Sequence, residues 1–249
     1  MKILAVDSTT RTACAALTED GRTLASFTSD SGPTQSERLL PMVEEVLRAA
    51  RVELREIDLF TATVGPGSFT GVRIGVSVIK GLAFGSGKPC VPVSALEAMA
   101  ENLFPLDGIY CPVIDARRNQ VYTALFCRDG ERLVRLTEDE LLPIDTLLAI
   151  LEKKGRSVLL TGDAARTVKR RASEIAPSLL FPTLPPDLLL PSGTAVARCA
   201  LRASKEGRTV NEEALVPVYL RPTQAERERE EREEQKKKEQ ENKKETTPC

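Results

Sequence analysis

The chain has 249 residues, 41% of them hydrophobic and 29% charged, with 35 Lys plus Arg against 36 Asp plus Glu. That length fits one large domain or two ordinary ones, and the net charge of −1 lacks the basic excess of a free-standing nucleic-acid binder. Histidine is absent, which excludes catalytic triads, Cys-His pairs and His-based zinc sites within this chain.

Trp is absent and aromatics are 4%, too few for a base-stacking platform. The six cysteines, Cys14, Cys90, Cys111, Cys127, Cys199 and Cys249, form no CxxC and mostly lie in apolar, strand-like runs. Only Ile3–Val6 separates Lys2 from Asp7, too short an apolar run for a signal peptide, and no run approaches the roughly 20 residues of a membrane span. A cytoplasmic protein without membrane contact is expected.

Lys2–Asp7, Thr12–Thr18 and Arg22–Ser29 read as a strand meander, with turns at Asp7–Arg11 and Glu19–Gly21. Thr34 and Glu37 fit a capping box, and Leu39, Leu40, Val43, Val46, Leu47 and Ala50 give a helix from Ser36 to Ala50, in which Pro41 implies either a bend or a later first turn. Strand Leu59–Val64 runs into the Gly65-Pro66-Gly67-Ser68 turn and a helix at Phe69–Phe84. That helix is apolar nearly all round, with Val72, Val76, Ile79 and Ala83 on one face and Ile74, Val78 and Leu82 beside it. A surface helix is apolar on one stripe only, so two covers are predicted: its own sheet, and another helix or subunit. Gly71 and Gly75 allow a neighbouring backbone close approach.

Strand Cys90–Val93 and helix Ser94–Leu103 follow, and then the order restarts. Strands are predicted at Ile109–Asp115, Gln120–Cys127 and Arg132–Leu136, a helix at Ile144–Lys154, a strand at Ser157–Thr161 and a helix at Ala164–Ser173. A Pro-rich loop, a last helix at Gly193–Lys205 and the closing segment Asn211–Arg221 complete the fold. Between Glu226 and Glu245 nine Glu and eight Lys or Arg leave almost no apolar side chain, which reads as a frayed helix or a disordered tail.

The repeat implies two α/β halves with mixed sheets, the layout of the actin-like ATPase fold. The expected division is an N-terminal lobe, 1–104, a smaller C-terminal lobe, 105–225, and the charged tail, 226–249. In that layout Asp7, Ser8 and Thr9 end the first strand, and Gly162 and Asp163 sit at a strand-to-helix junction, together a vestigial phosphate site. Asp115 ends the strand matching that of Asp7, and Asp115-Ala116-Arg117-Arg118 reads equally as a basic contact loop or a hairpin turn.

The run Gly65–Gly75 continued by Lys80–Ala83 resembles the TsaB (YeaZ) family, as do Ser36–Pro41, Asp115–Arg118 with Val121-Tyr122, and Val218–Pro222. The resemblance covers residues 1 to about 226; the long tail is outside it. It implies an actin-like pseudo-enzyme that pairs with a TsaD-type catalytic paralogue carrying a metal-binding His-x-x-x-His. A TsaC-type enzyme would supply threonylcarbamoyl-adenylate. The pair, with a TsaE-type ATPase, would move the threonylcarbamoyl group to N6 of adenosine 37 in ANN-decoding tRNAs. Without histidine this chain cannot be the catalytic paralogue; no cofactor or catalytic residue of its own is expected, and ATP and metal belong to partner subunits. The resemblance puts the subunit contact, with the partner or in a homodimer, on the two long helices. The face expected there is Leu39, Leu40, Val43, Val46 and Leu47 with Gly71, Val72, Gly75, Val76, Ile79 and Ala83. The alternative is an independent small-molecule kinase of the same fold, with Asp7 at its phosphate site. A protease reading lacks both a histidine and a Ser-Lys dyad.

Overall fold

The computed structural model describes residues 1–30, 34–154 and 157–221; the charged tail at 226–249 lies outside the described residues. Its elements in chain order are β1 (Lys2–Asp7), β2 (Ala13–Glu19), β3 (Arg22–Ser29), α1 (Gln35–Ala50), β4 (Leu59–Gly65), α2 (Phe69–Ala83), β5 (Cys90–Ser94) and α3 (Ala95–Asn102). There follow β6 (Ile109–Asp115), β7 (Gln120–Thr123), β8 (Phe126–Asp129), β9 (Arg132–Arg135), β10 (Glu140–Pro143), α4 (Ile144–Glu152), β11 (Val158–Thr161), α5 (Ala165–Ile175) and α6 (Gly193–Lys205). Met1–Val218 form one compact unit that contains every one of these elements.

The first sheet has the order β3-β2-β1-β4-β5, antiparallel from β3 to β1 and parallel from β1 to β5. Its strands alternate between two covered faces, as the two-residue period of a strand requires. Leu4 and Val6 point to α1 and α2, whereas Ile3 and Ala5 point to α6.

The second sheet repeats the plan. Strand β6 pairs antiparallel with β7 and β8 and parallel with β11. β7 and β8 keep one register against β6, so they are a single strand interrupted at Ala124–Leu125. The interruption has a local cause: the Thr137 hydroxyl accepts from Leu125 N at 2.9 Å, and Leu125 O accepts from Leu136 N at 2.7 Å. Ile109, Cys111 and Val113 face α4 and α5, and Tyr110 and Ile114 face α3. Helix α3 thus joins both sheets, and an ionic network secures it. Buried Glu101 accepts from Arg198 at 3.1 Å and Arg202 at 3.0 Å, and Glu97 accepts from Arg202 at 3.3 Å.

The internal repeat and the mixed sheets with flanking helices are as the sequence predicts. β1, β3, β6 and α6 carry the expected bounds. β10 is the element not anticipated; it pairs with β7. α1 runs through Pro41 to Ala50; Pro41 is exposed, so the carbonyl that its missing N–H leaves open is free to meet water. Glu37 completes the expected capping box by accepting from Thr34 N at 3.2 Å.

Candidate functional site

Two turns at matching strand ends are built alike. After β1, Asp7 Oδ1 accepts from Thr9 N and Thr9 Oγ1, both at 2.7 Å. After β6, Asp115 Oδ1 accepts from Arg117 N at 2.8 Å. Each aspartate therefore closes an Asx turn two residues on, the reason this residue type ends both strands.

The first turn is closed in on itself. Asp7, Ser8 and Thr9 are buried, and the turn is pressed against the Gly65–Gly71 segment that opens α2. The Ser8 hydroxyl donates to Gly71 O at 2.8 Å, and Thr9 O accepts from Ser68 N at 2.6 Å. Gly67 and Gly71 have no space for a Cβ: at Gly67 it would overlap Thr9 O, and at Gly71 it would overlap Ser8 O. A Cβ on Gly75 would stand 2.7 Å from Ser8 Oγ. The helix N-terminal amide of Ser68 and the hydroxyl of Ser8, donors that a phosphate would need, are thus spent on the chain's own carbonyls. The residues at this turn do not fit a nucleotide phosphate as they stand. Gly162 and Asp163 are engaged elsewhere, Gly162 against Val113 O and Asp163 Oδ1 as acceptor from Asp115 N at 2.9 Å. No hydrogen bond joins them to Asp7–Thr9 among the described residues. Asp7–Thr9 and Gly162–Asp163 thus form two turns, each held by its own hydrogen bonds and close contacts.

Asp7 leaves one atom over. Its Oδ2 and Thr63 Oγ1 are both buried without a hydrogen-bond partner. Burial, the largest effect, holds the Asp7 carboxyl above the ordinary carboxylate range, while the bonds from Thr9 and the nearby Thr63 hydroxyl act the other way. A carboxyl raised in the folded state contributes its full stability below about pH 4 and loses it as pH rises through the folded-state value. We expect Asp7→Asn, whose amide nitrogen has Thr63 Oγ1 to donate to, to remove that decline. At pH 8 the variant should melt above the parent, and near pH 4 the two should coincide. A loss of equal size at every pH would show instead that the charge itself is needed.

Four buried thiols are held in the protonated form. Burial pushes Cys90 up to about 11 and Cys111 up to about 12, and raises Cys14 and Cys199 as well.

The two long helices need a larger correction. Leu39, Val43, Val46, Val72, Val76, Ile79 and Ala83, expected to meet a partner, lie in the chain's own core between α1, α2 and the first sheet. Gly71 and Gly75 admit the β1–β2 turn rather than a foreign backbone. The apolar side chains that keep solvent access flank that core: Leu40, 42% exposed, and Leu47 on α1, Ile74, Val78 and Leu82 on α2, and Phe84, 79% exposed, just beyond α2. The 3.6-residue period identifies residues sharing a face but not what covers that face, and here the broader face belongs to the sheet.

A family model described as "TsaD: tRNA N6-adenosine threonylcarbamoyltransferase" matches residues 31–227. The tRNA threonylcarbamoyladenosine biosynthesis protein TsaB of Bacillus subtilis is 31% identical over 231 residues, covering 91% of this chain and 96% of that protein. TsaB of Escherichia coli is 32% identical over 229 residues, covering 89% and 95%. This chain belongs to the TsaB (YeaZ) family. The solved structure of YeaZ from Pseudomonas aeruginosa agrees, at 28% identity and a TM-score of 0.71 over 88% of this chain and 99% of that one. The charged run after residue 226 falls at the edge of the matched region. Among the described residues no helix is long and apolar enough to cross a membrane.

Proposed function

We propose that this chain is the non-catalytic subunit of a tRNA N6-threonylcarbamoyladenosine transferase. It binds and supports a TsaD-type catalytic subunit in the cytoplasm, with a TsaE-type ATPase and tRNA joining the same assembly. Its family supports the pathway. The non-catalytic role rests on one observation: the turn that would take a nucleotide phosphate in an active relative of this fold is filled by Ser8 and Thr9 packed on Gly67 and Gly71. The two halves, 1–104 and 105–225, act as lobes of one scaffold, with 226–249 as an appended tail.

The partner contact is the flank of α1 and α2 that keeps solvent access: Leu40, Leu47, Ile74, Val78, Leu82 and Phe84. Covering such side chains contributes roughly 1.5–3 kcal/mol each at full burial, before the cost of association. Size-exclusion chromatography with the TsaD-type protein of the same host should give co-elution. Titration calorimetry with ATP and magnesium should give no saturable heat from the chain alone. Tight nucleotide binding with turnover, lost on Asp7→Ala, would establish the kinase reading in its place.

A further inference from the structure

Three successive residues, Arg117, Arg118 and Asn119, hold φ at 62°, 54° and 56°. The left-handed region is costly for residues with a Cβ, so such a run persists only where its surroundings impose it. Here the imposition is visible. Arg117 N donates to Asp115 Oδ1, Gln120 N to Arg117 O at 3.0 Å, Ala116 N to Gln120 O at 3.0 Å, and Ile144 N to Asn119 O at 3.0 Å. The pinned turn leaves both arginine side chains in solvent, with no hydrogen bond or ion pair of either guanidinium among the described residues.

The bond from Asp115 N to Asp163 Oδ1 sets this turn against the start of α5. The solvent face of α5 carries Arg166 and Arg170, one turn or roughly 6 Å apart, again without ion pairs among the described residues. Arg171 on the same helix is neutralised by Asp145 at 2.7 Å and Glu174 at 3.0 Å, and Lys169 donates to Pro182 O. Four guanidiniums without ion pairs among the described residues, from two separate elements, therefore share one end of the second sheet, beside Asp115, Asp163 and the Asp145 that Arg171 neutralises, in a chain whose overall charge is −1.

We propose that this surface docks the ribose-phosphate backbone of the folded tRNA substrate; the proposal rests on the functional reading above. Arginine forks match phosphate bidentately, and guanidiniums held on a rigid turn and a helix lose little freedom on binding. The scarcity of aromatic side chains argues for backbone contact rather than base stacking. The surface lies on the second sheet and α5, on other elements than the α1–α2 flank proposed for the catalytic partner.

The test is filter binding of an unmodified ANN-decoding tRNA transcript to the full-length chain assembled with its TsaD-type partner, across a salt series. Replacing Arg117, Arg118, Arg166 and Arg170 together by Gln should weaken binding at least tenfold at about 0.15 M salt. The log–log salt slope should become shallower by about three, since each phosphate contact contributes about 0.7–0.9. Melting temperature and assembly should hold, and the fourfold Arg→Lys variant, which keeps the charge but loses the fork, should bind with an affinity between the parent and the Gln variant. Unchanged affinity and slope in the Gln variant overturn the proposal, whether or not assembly weakens. If the wild-type assembly fails to modify the tRNA at all, the functional reading falls and takes this surface with it. If the wild type modifies it and the Gln variant binds and modifies equally well, only the surface falls.

Discussion

Val76→Glu should fail to fold. Val76 is 3% exposed and sits in the core shared by α1, α2 and the first sheet. The substitution forfeits roughly 1.5–3 kcal/mol of apolar burial and puts an unpartnered carboxylate where water cannot reach it, at a further cost of several kcal/mol. Together these approach the whole stability of an ordinary domain, about 5–15 kcal/mol. Val78→Glu, two residues on in the same helix, is half-buried against that core but keeps access to solvent, so it should still fold cooperatively, with a smaller fall in the thermal transition. A cooperatively folded Val76→Glu chain would place that side chain on the outer face and return it to the partner contact.

Gly71→Ala and Gly81→Ala should move stability in opposite directions. The added methyl at position 71 overlaps the Ser8 carbonyl, a backbone atom that cannot swing aside. Relief requires the β1–β2 turn to part from α2, which costs about 1–3 kcal/mol of overpacking. It also weakens the Ser8–Gly71 and Ser68–Thr9 hydrogen bonds, about 0.5–1.5 kcal/mol each. At position 81 nothing lies within 4 Å, so the methyl meets open space and brings only its better helix propensity, a gain of about 0.5–1 kcal/mol. Denaturant melts of the two variants against the parent read both. A neutral Gly71→Ala would mean that the turn is not seated on α2.

Periodicity and turn chemistry carried most of the architecture. Apolar runs bounded by Asp, Gly and Asn turns located β1, β3 and β6 to the residue, and the recurrence of the same order located the duplication. The family was legible in the Gly65–Gly75 run, which the structure explains as the close packing of a turn on a helix start. β10 escaped notice because four residues ending in Pro143 carry too little pattern, and because its pairing with β7 is long-range. The site residues were harder. Gly71 and Gly75 announce a close approach but not its partner, which is Ser8, 63 residues away in the chain for Gly71. Leu39 and Leu40 are adjacent letters, yet one is enclosed and the other 42% exposed, a distinction made by helix rotation against the sheet. The conformation of Arg117–Asn119 is equally invisible, since none of the three is a glycine and only the surrounding hydrogen bonds hold them there.

As proposed above, this chain acts by assembly through the α1–α2 flank and not by chemistry of its own. The most direct measurement is the yield of threonylcarbamoyladenosine in an ANN-decoding tRNA, read by nucleoside mass spectrometry. The reaction would contain the TsaC-, TsaD- and TsaE-type proteins, threonine, bicarbonate and ATP, with either the parent chain or its Leu40→Glu/Val78→Glu variant. We expect product only when the parent chain is present, and at least a tenfold loss with a variant that circular dichroism shows to be folded. Full yield from the folded variant, or product formed by the parent chain without its partners, would show that the chain does not act by assembly through this flank.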